Sequence, residues 1–136
     1  IWTDAKEHKY IEEAGTMNVM FVMNGKLVTP KSSETILRGI TKRSVVEIAQ
    51  DWGMEVEERK IEVSEIIEAF KNGTLTEAFG AGTAATIAPI SSINFEGENY
   101  VVPASNADHF HTRVMNYLSN YKTGIEADKF DWLVTV

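Results

Sequence analysis

The chain has 136 residues, of which 43% are hydrophobic and 24% charged, and its formal net charge is −7. These values are typical of one globular domain with a sizeable core, whereas the negative charge argues against a nucleic-acid or polybasic membrane partner. The chain has no cysteine, which excludes disulfides, thiolate chemistry and cysteine-based metal sites, and no apolar run approaches the length of a membrane span.

The first regular elements predicted from the sequence form a hairpin. Val19 to Met23 is continuously apolar, which predicts a buried strand. Asn24-Gly25 separates it from a second short strand, Lys26 to Thr29, and is the typical sequence of a type I′ turn. Pro30 is expected to end the second strand.

Two helices with a strand between them are predicted next. Thr41 is the expected N-cap of a helix that ends at Gly53, because apolar residues recur at helical spacing between them. Met54 to Val63 contains a plausible strand with one exposed face. Ser64 is the expected N-cap of the second helix, which ends near Gly73.

The stretch Glu77 to Pro89 runs polar, then small, then apolar. Its Gly80 to Thr83 segment is dense in small residues, which favours a tight turn. A further hairpin is predicted over Ile93 to Val102, and a long helix from about Asn106 to near Gly124. The mixture of hairpins and helices predicts antiparallel pairing beside any parallel pairing.

Two glycine-containing segments are candidates for binding an anion. Gly39 precedes the helix expected at Thr41, where unpaired N–H groups and the helix dipole favour phosphate. Successive N–H groups in Gly80 to Thr83 can form an anion-binding concavity. Each segment also has a simpler interpretation: Gly39 would only precede an ordinary helix start, and Gly80 to Thr83 would only form a turn. Together they would suit one phosphate held from two sides.

The remaining titratable candidates are two glutamates whose role stays open, and histidines and lysines for which no chemistry is expected. Glu12 and Glu13 are either solvated or hold a cationic ring protonated, a known way to tune a cofactor. His109 and His111 are two residues apart on a predicted helix, so they are expected not to share a face, and no metal site is expected. No lysine lies in a clearly apolar setting that would lower its pKa for Schiff-base chemistry.

Three motifs in order resemble those of the branched-chain amino-acid aminotransferases, pyridoxal-phosphate enzymes of fold type IV. They are Glu12 to Asn18, Leu37 to Thr41 and Gly80 to Ala84, and the resemblance covers nearly the whole chain. It implies that residues 1–136 are a single domain, the C-terminal cofactor-binding domain of a larger enzyme. The implied fold is a mixed α/β pseudo-barrel flanked by helices.

The resemblance also implies roles for individual residues toward pyridoxal 5′-phosphate. Glu13 would pair with the pyridine nitrogen, and Leu37 would pack on the ring. The other cofactor-binding residues would be Thr16, Gly39, Ile40, Thr41, Gly82 and Thr83. The substrate-binding residues would be Thr16, Met17, Thr83 and Ala84, with the backbone N–H of Ala84 binding the substrate carboxylate.

The sequence departs from the family pattern at two places, and part of the family's machinery is not found in it. Arg38 stands where the family often has proline, which predicts a less rigid loop before the helix. Ala85 and Ala88 stand where some animal members carry a Cys-x-x-Cys pair, so that redox regulation is not expected. The Schiff-base lysine is expected upstream, in an N-terminal domain, and the chain alone is expected to be inactive.

The activity implied for the parent enzyme is transfer of the amino group of leucine, isoleucine or valine to 2-oxoglutarate, in a cytoplasmic homodimer. A D-amino-acid aminotransferase or an aminodeoxychorismate lyase is an alternative on the same fold, which the Gly-Thr-Met-Asn form of residues 15–18 disfavours. A free-standing binding domain without chemistry is an alternative of another class.

Overall fold

The computed structural model describes residues 1–136 as a seven-stranded mixed sheet, a separate two-stranded hairpin and three helices. The strands of the sheet are β1 (Trp2–Thr3), β2 (Ile11–Ala14), β3 (Met17–Met23), β4 (Lys26–Pro30), β5 (Val56–Arg59), β6 (Leu75–Gly82) and β7 (Thr86–Pro89). The hairpin consists of β8 (Ser92–Phe95) and β9 (Glu98–Val101). The helices are α1 (Ile40–Asp51), α2 (Val63–Lys71) and α3 (Phe110–Lys122).

Strand β3 is the centre of the sheet. One of its edges pairs with β2 near its start and with β4 near its end, whereas β6 pairs along its whole other edge. The pair β4–β5 is parallel and the other pairs are antiparallel. The expected mixture of pairings is therefore confirmed, and the start of β3 lies between the ends of β2 and β6.

Both faces of β3 are buried, which explains its continuous apolar sequence. Met20 and Val22 belong to one core cluster, which α1 and α3 cover. Val19 and Phe21 belong to a second cluster on the opposite face, which contains residues of α2. The sheet thus separates two cores, and α1 and α3 share one face.

The predicted β3–β4 hairpin is confirmed, and its turn has the expected backbone. Asn24 has φ 51° and Gly25 has φ 73°, the two positive angles that a type I′ turn requires. The β8–β9 hairpin turns in the same way at Glu96 and Gly97, with φ of 51° and 82°. The Asn-Gly pair thus correctly predicted the type I′ turn from two neighbouring residues.

The expected N-caps of the first two helices are wrong. Helix α1 begins at Ile40, so the cap position belongs to Gly39, whose backbone is extended (φ −65°, ψ 134°), and Thr41 already lies inside the helix. Glu62 rather than Ser64 occupies the cap position of α2.

The last helix begins later than expected. Asn106 lies in a loop, where its side-chain oxygen accepts hydrogen bonds from the N–H groups of Asp108 and His109 at 2.9 and 3.0 Å. This local turn delays α3 until Phe110. None of the three helices combines the length and the apolarity that crossing a membrane would require.

Candidate functional site

The backbone of Leu37 is held at both ends by side chains of the sheet. Glu13 and Asn18 lie opposite each other on β2 and β3. Glu13 Oε1 accepts a hydrogen bond from Leu37 N–H at 2.9 Å, and Asn18 Nδ2 donates one to Leu37 O at 2.9 Å. The Leu37 side chain is left 69% exposed, and Glu13 Oε2 accepts no hydrogen bond from the chain.

Gly39 makes room for Asn18. Asn18 is a buried polar residue, 5% exposed, and a Cβ atom on Gly39 would overlap its side-chain oxygen. Because Gly39 has a φ that any residue adopts, glycine is needed there for space and not for conformation. Asn18 therefore fixes the segment that leads into α1, a role that the sequence motif did not assign to it.

The start of α1 has unpaired backbone donors. The helix has no side-chain cap and no acidic residue in its first turn. Arg43 N–H donates to Gly39 O at 3.1 Å, whereas the N–H groups of Ile40, Thr41 and Lys42 have no acceptor within the chain. Such donors, at the positive end of the helix dipole, favour an anion.

Lys42 anchors this open helix start to the end of β4. It is 3% exposed, and its Nζ donates to Pro30 O at 2.5 Å and to Ser32 Oγ at 3.3 Å. The same Nζ lies 3.3 Å from Glu58 Oε2 in an ion pair. The ammonium group is thus fully occupied by protein partners, and the first turn of α1 is fixed in place.

The turn between β6 and β7 comes to the same region. Thr83 and Ala84 are exposed in that turn. Thr86, which follows it, has φ 56°, an uncommon angle for a β-branched residue, and its hydroxyl accepts a hydrogen bond from Lys122 Nζ at 3.3 Å. A cavity of about 490 Å³ lies between Thr86, the start of α1 and the end of α3. Its lining includes Ile40, Thr41, Thr86, Lys122 and Trp132.

The glycines of β6 have a packing role. A Cβ on Gly80 would lie 3.0 Å from Met17 Sδ, and a Cβ on Gly82 would lie 3.2 Å from Met17 Cγ. The side chain of Met17 therefore occupies the space that these residues leave free. Gly80 and Gly82 are strand residues that pair with β7, so the tight turn expected over Gly80 to Thr83 is wrong, and the turn starts only at Thr83.

The structure brings some of the sequence-predicted residues together and leaves others apart. Hydrogen bonds and close contacts connect Glu13, Leu37 and Gly39 and place them at the start of α1, beside Ile40 and Thr41. Thr16 is exposed in the turn between β2 and β3, next to Met17.

A second carboxylate lies under the start of α3, on the same face of the sheet. Glu77 Oε1 accepts a hydrogen bond from Phe110 N–H at 2.8 Å, and Glu77 Oε2 accepts from His111 N–H at 2.9 Å. The Nδ1 atom of His111 lies 2.7 Å from the same Oε2. Burial acts to raise the pKa of Glu77, but the hydrogen bonds from His111 and Phe110 outweigh it and hold that pKa below its ordinary value.

The two histidines near Glu77 are closer together than the sequence predicted. His109 is at the cap position of α3, with an extended backbone (φ −62°, ψ 142°). The helical spacing rule therefore does not apply to it, and its ring centroid lies 5.5 Å from that of His111. The expectation that these side chains diverge is wrong for this reason.

Comparisons with known proteins agree with this architecture. The family model described as amino-transferase class IV matches residues 4–93. A protein of Staphylococcus aureus (strain N315) named as a probable branched-chain-amino-acid aminotransferase is 40% identical over all 136 residues. The chain spans 38% of the length of that relative.

Two solved structures support the same likeness. The branched-chain amino acid aminotransferase of Thermobaculum terrenum in its PLP form is 28% identical, with a TM-score of 0.76 over 92% of this chain and 38% of that one. The branched-chain aminotransferase of Thermoproteus uzoniensis with norvaline is 30% identical, with a TM-score of 0.74 over 97% of this chain and 39% of that one. The mixed α/β fold expected from the motifs is confirmed.

Proposed function

The chain belongs to the amino-transferase class IV family, and we propose that it is the cofactor-binding part of a branched-chain amino-acid aminotransferase that uses pyridoxal 5′-phosphate. The parent protein would move the amino group of leucine, isoleucine or valine to 2-oxoglutarate. The observation that carries the proposal is the open start of α1 beside Glu13. The names of the similar proteins support the substrate class.

The chain offers groups that fit both polar ends of the cofactor. Pyridoxal phosphate carries an anionic phosphate and a basic ring nitrogen. The unpaired N–H groups of Ile40 and Thr41 suit the phosphate, and Glu13 Oε2, which has no protein partner, suits a protonated ring nitrogen. The exposed Leu37 side chain would pack on the ring face. When bound, the cofactor supplies an electron sink for the reacting carbon of the substrate.

The turn after β6 would complete the site on the substrate side. Gly82 and Thr83 would contribute to the phosphate site, and the N–H of Ala84 would bind the substrate carboxylate. Thr16 and Met17 would line the pocket between cofactor and substrate. The exposure of Thr83 and Ala84 in the turn supports this assignment, as does Thr86, which follows the turn and lines the same cavity as Ile40 and Thr41.

The proposal includes parts outside this chain. The Schiff-base lysine would lie in an N-terminal domain, and the parent would be a cytoplasmic homodimer. The greater length of the relatives and the full occupation of the buried Lys42 ammonium support a lysine from elsewhere. Borohydride reduction of the chain with pyridoxal phosphate should give no stoichiometric adduct at one lysine, whereas such an adduct with turnover would contradict this part.

Ile40→Pro tests the phosphate site. Proline is favoured at the first position of a helix, and the extended Gly39 suits the residue before a proline, so the fold should be kept while one donor is lost. A hydrogen bond to a charged group contributes about 1.5–3 kcal/mol, so pyridoxal phosphate should bind at least about 10-fold more weakly. Titration of the protein that contains this chain, followed by absorbance, measures this.

Ile40→Ala is the matched control, because it removes the same exposed side chain and keeps the N–H. Equal affinity of the proline and alanine variants would overturn the phosphate assignment. The substrate class is tested by assaying the wild-type protein with branched-chain L-amino acids and with D-amino acids. A preference for D-amino acids would overturn that part alone.

A further inference from the structure

Three side chains converge at the start of α3, away from the residues assigned to the cofactor. Glu77 comes from β6, His109 from the residue before the helix and His111 from its first turn. Each offers one ligand atom, and the three atoms lie within 4.8 Å of one another. We propose that this cluster binds a divalent transition-metal ion, with Zn²⁺ as the preferred ion. Two imidazoles and a carboxylate are a donor set that zinc accepts.

The state of His109 is the first argument for a ligand. Its Nδ1 atom is buried and makes no hydrogen bond. Buried polar atoms are nearly always paired, so an unpaired one requires an explanation. A metal ion would use the nitrogen lone pair that the protein leaves unused, and the other two members of the cluster lie beside it.

Metal binding would preserve the contacts that Glu77 makes with the helix. A carboxylate offers about four lone-pair positions, and Glu77 uses one for Phe110 N–H, one for His111 N–H and one for the ring of His111. The ion would take only the third position, between Oε2 and His111 Nδ1. Both backbone hydrogen bonds would remain, so binding would not release the start of α3.

Ser105 provides the support that a ligating histidine needs. Its hydroxyl lies 2.9 Å from His111 Nε2. With a metal on Nδ1, the ring N–H stands on Nε2, where Ser105 Oγ can accept its hydrogen bond. Metal-binding histidines commonly donate their second N–H to a protein acceptor in this way, which fixes the ring orientation.

The cluster needs a small adjustment to reach zinc geometry. Zn–N bonds of about 2.0–2.1 Å in a tetrahedron place neighbouring ligand atoms roughly 3.4 Å apart. The Oε2–Nδ1 distance of 2.7 Å would open as the ion enters, and the ring of His109 would turn inward. His109 is only partly buried, which leaves it free to rotate and leaves room for water as a fourth ligand.

The test is calorimetric titration of the metal-free protein with ZnCl₂, using paired histidine-to-asparagine variants. Wild type should bind one zinc ion at this site, and His109→Asn should weaken binding at least about tenfold, the loss typical even for a residue that only supports a ligand. His109→Asn should fold, because the His109 side chain makes no capping bond and asparagine is favoured at an N-cap. His8→Asn is the control, since His8 lies outside the cluster and asparagine tolerates its φ of 51°.

Three results would overturn the proposal: no saturable zinc binding by wild type, unchanged affinity in His109→Asn, or an equal loss in His8→Asn. Thermal unfolding gives an independent measurement. Zn²⁺ should raise the melting temperature of wild type more than that of His109→Asn, while Mg²⁺, which prefers oxygen ligands in an octahedron, should leave it unchanged. Equal stabilisation by Mg²⁺ would contradict a transition-metal site.

Discussion

The helices α1 and α3 pack on the same face of the sheet, yet they begin in opposite ways. At α3, the carboxylate of Glu77 accepts hydrogen bonds from the first two backbone N–H groups. At α1, Gly39 offers no side chain, and the first three N–H groups have no acceptor in the chain. Glu13, the carboxylate near α1, binds Leu37 instead and keeps one oxygen free.

The start of α3 thus stabilises the fold, whereas the start of α1 is available to bind a ligand. The start of α3 is buried, and buried backbone donors must be paired for the protein to be stable. The start of α1 borders an open cavity, and it is held in place by Asn18 and Lys42 rather than by a cap. Its donors are therefore positioned but unpaired, as a binding site for an anion requires.

Glu13→Gln should produce the largest effect, and it should be an effect on activity. The neutral amide cannot hold a proton on the ring nitrogen, so kcat/KM of the protein that contains this chain should fall at least about 100-fold, as after loss of one electrostatic contact in an active site. The amide oxygen still accepts from Leu37 N–H, so the free energy of unfolding should change little. Steady-state kinetics and urea unfolding measure the two quantities.

Glu12→Gln is the matched control for that prediction. Glu12 precedes Glu13 on β2, and its carboxylate accepts a hydrogen bond from the Thr35 hydroxyl at 2.8 Å. Its side chain points to the other face of the strand, so its activity should stay close to wild type. Full activity of Glu13→Gln, or an equal loss in Glu12→Gln, would show that Glu13 does not act on the cofactor.

Glu77→Gln should have the reverse effect, a loss of stability of about 3 kcal/mol, as is typical when buried donors lose a charged acceptor. The amide NH₂ group would replace one carboxylate oxygen and could not accept the hydrogen bonds made to it. At least one backbone N–H at the start of α3 would therefore be left unpaired. Denaturant unfolding measures the loss. If Glu77→Gln is no more destabilising than Glu13→Gln, the distinction between a closed and an open helix start fails.

Gly39→Ala should destabilise the protein by about 2 kcal/mol, the effect of overpacking a tight contact. The backbone of Gly39 suits alanine, so the loss should come only from the overlap with Asn18. Asn18→Ala alone should cost about 1 kcal/mol through its lost hydrogen bond. The double variant should be more stable than the sum of the two losses predicts, which a double-mutant cycle measures. Simple additivity would contradict the steric explanation.

The features that the sequence predicted correctly depend on neighbouring residues. The apolar run Val19 to Met23 gave a buried strand, and Asn24-Gly25 gave its turn, because both signals act over a few residues. The helix starts were less predictable, because contacts between distant residues position them. Asn18 and Leu37 are 19 residues apart, and Glu77 and His111 are 34 apart, so cap preferences alone could not choose Gly39 over Thr41.

In the candidate site, too, the sequence identified residues within short motifs but not the contacts between distant residues. The motifs identified Glu13, Leu37 and the start of α1, which the structure brings together. They gave no role to Asn18, whose importance depends on the space beside Gly39. They also could not show that Met17 fills the space at Gly80, because that contact depends on the pairing register of β3 and β6.

Asp4 differs from both helix starts, because both of its carboxylate oxygens accept hydrogen bonds although the residue is only partly buried. Its oxygens accept hydrogen bonds from the N–H groups of Glu7, Lys9 and Tyr10 at 2.7 to 2.8 Å. The hydrogen bond from Tyr10, with those from Glu7 and Lys9, lowers the pKa of Asp4 from 3.8 to about 2. Water screens this site, so its effect on the free energy of unfolding should be smaller than those of Glu77→Gln and Gly39→Ala.

The direction of the pH dependence at Asp4 follows from the lowered pKa. A carboxyl whose pKa is lower in the folded state stabilises that state above its ordinary pKa of 3.8 and loses this effect as pH falls toward 2. An NMR titration should therefore place the carboxyl midpoint near 2, with the amide signals of Lys9 and Tyr10 moving at the same pH. At neutral pH, Asp4→Asn should speed amide hydrogen exchange at both residues and leave the rest of the sheet unchanged. A midpoint near 3.8 with unchanged exchange would show that hydrogen bonds stabilise a carboxylate here only when it is buried, as Glu77 is.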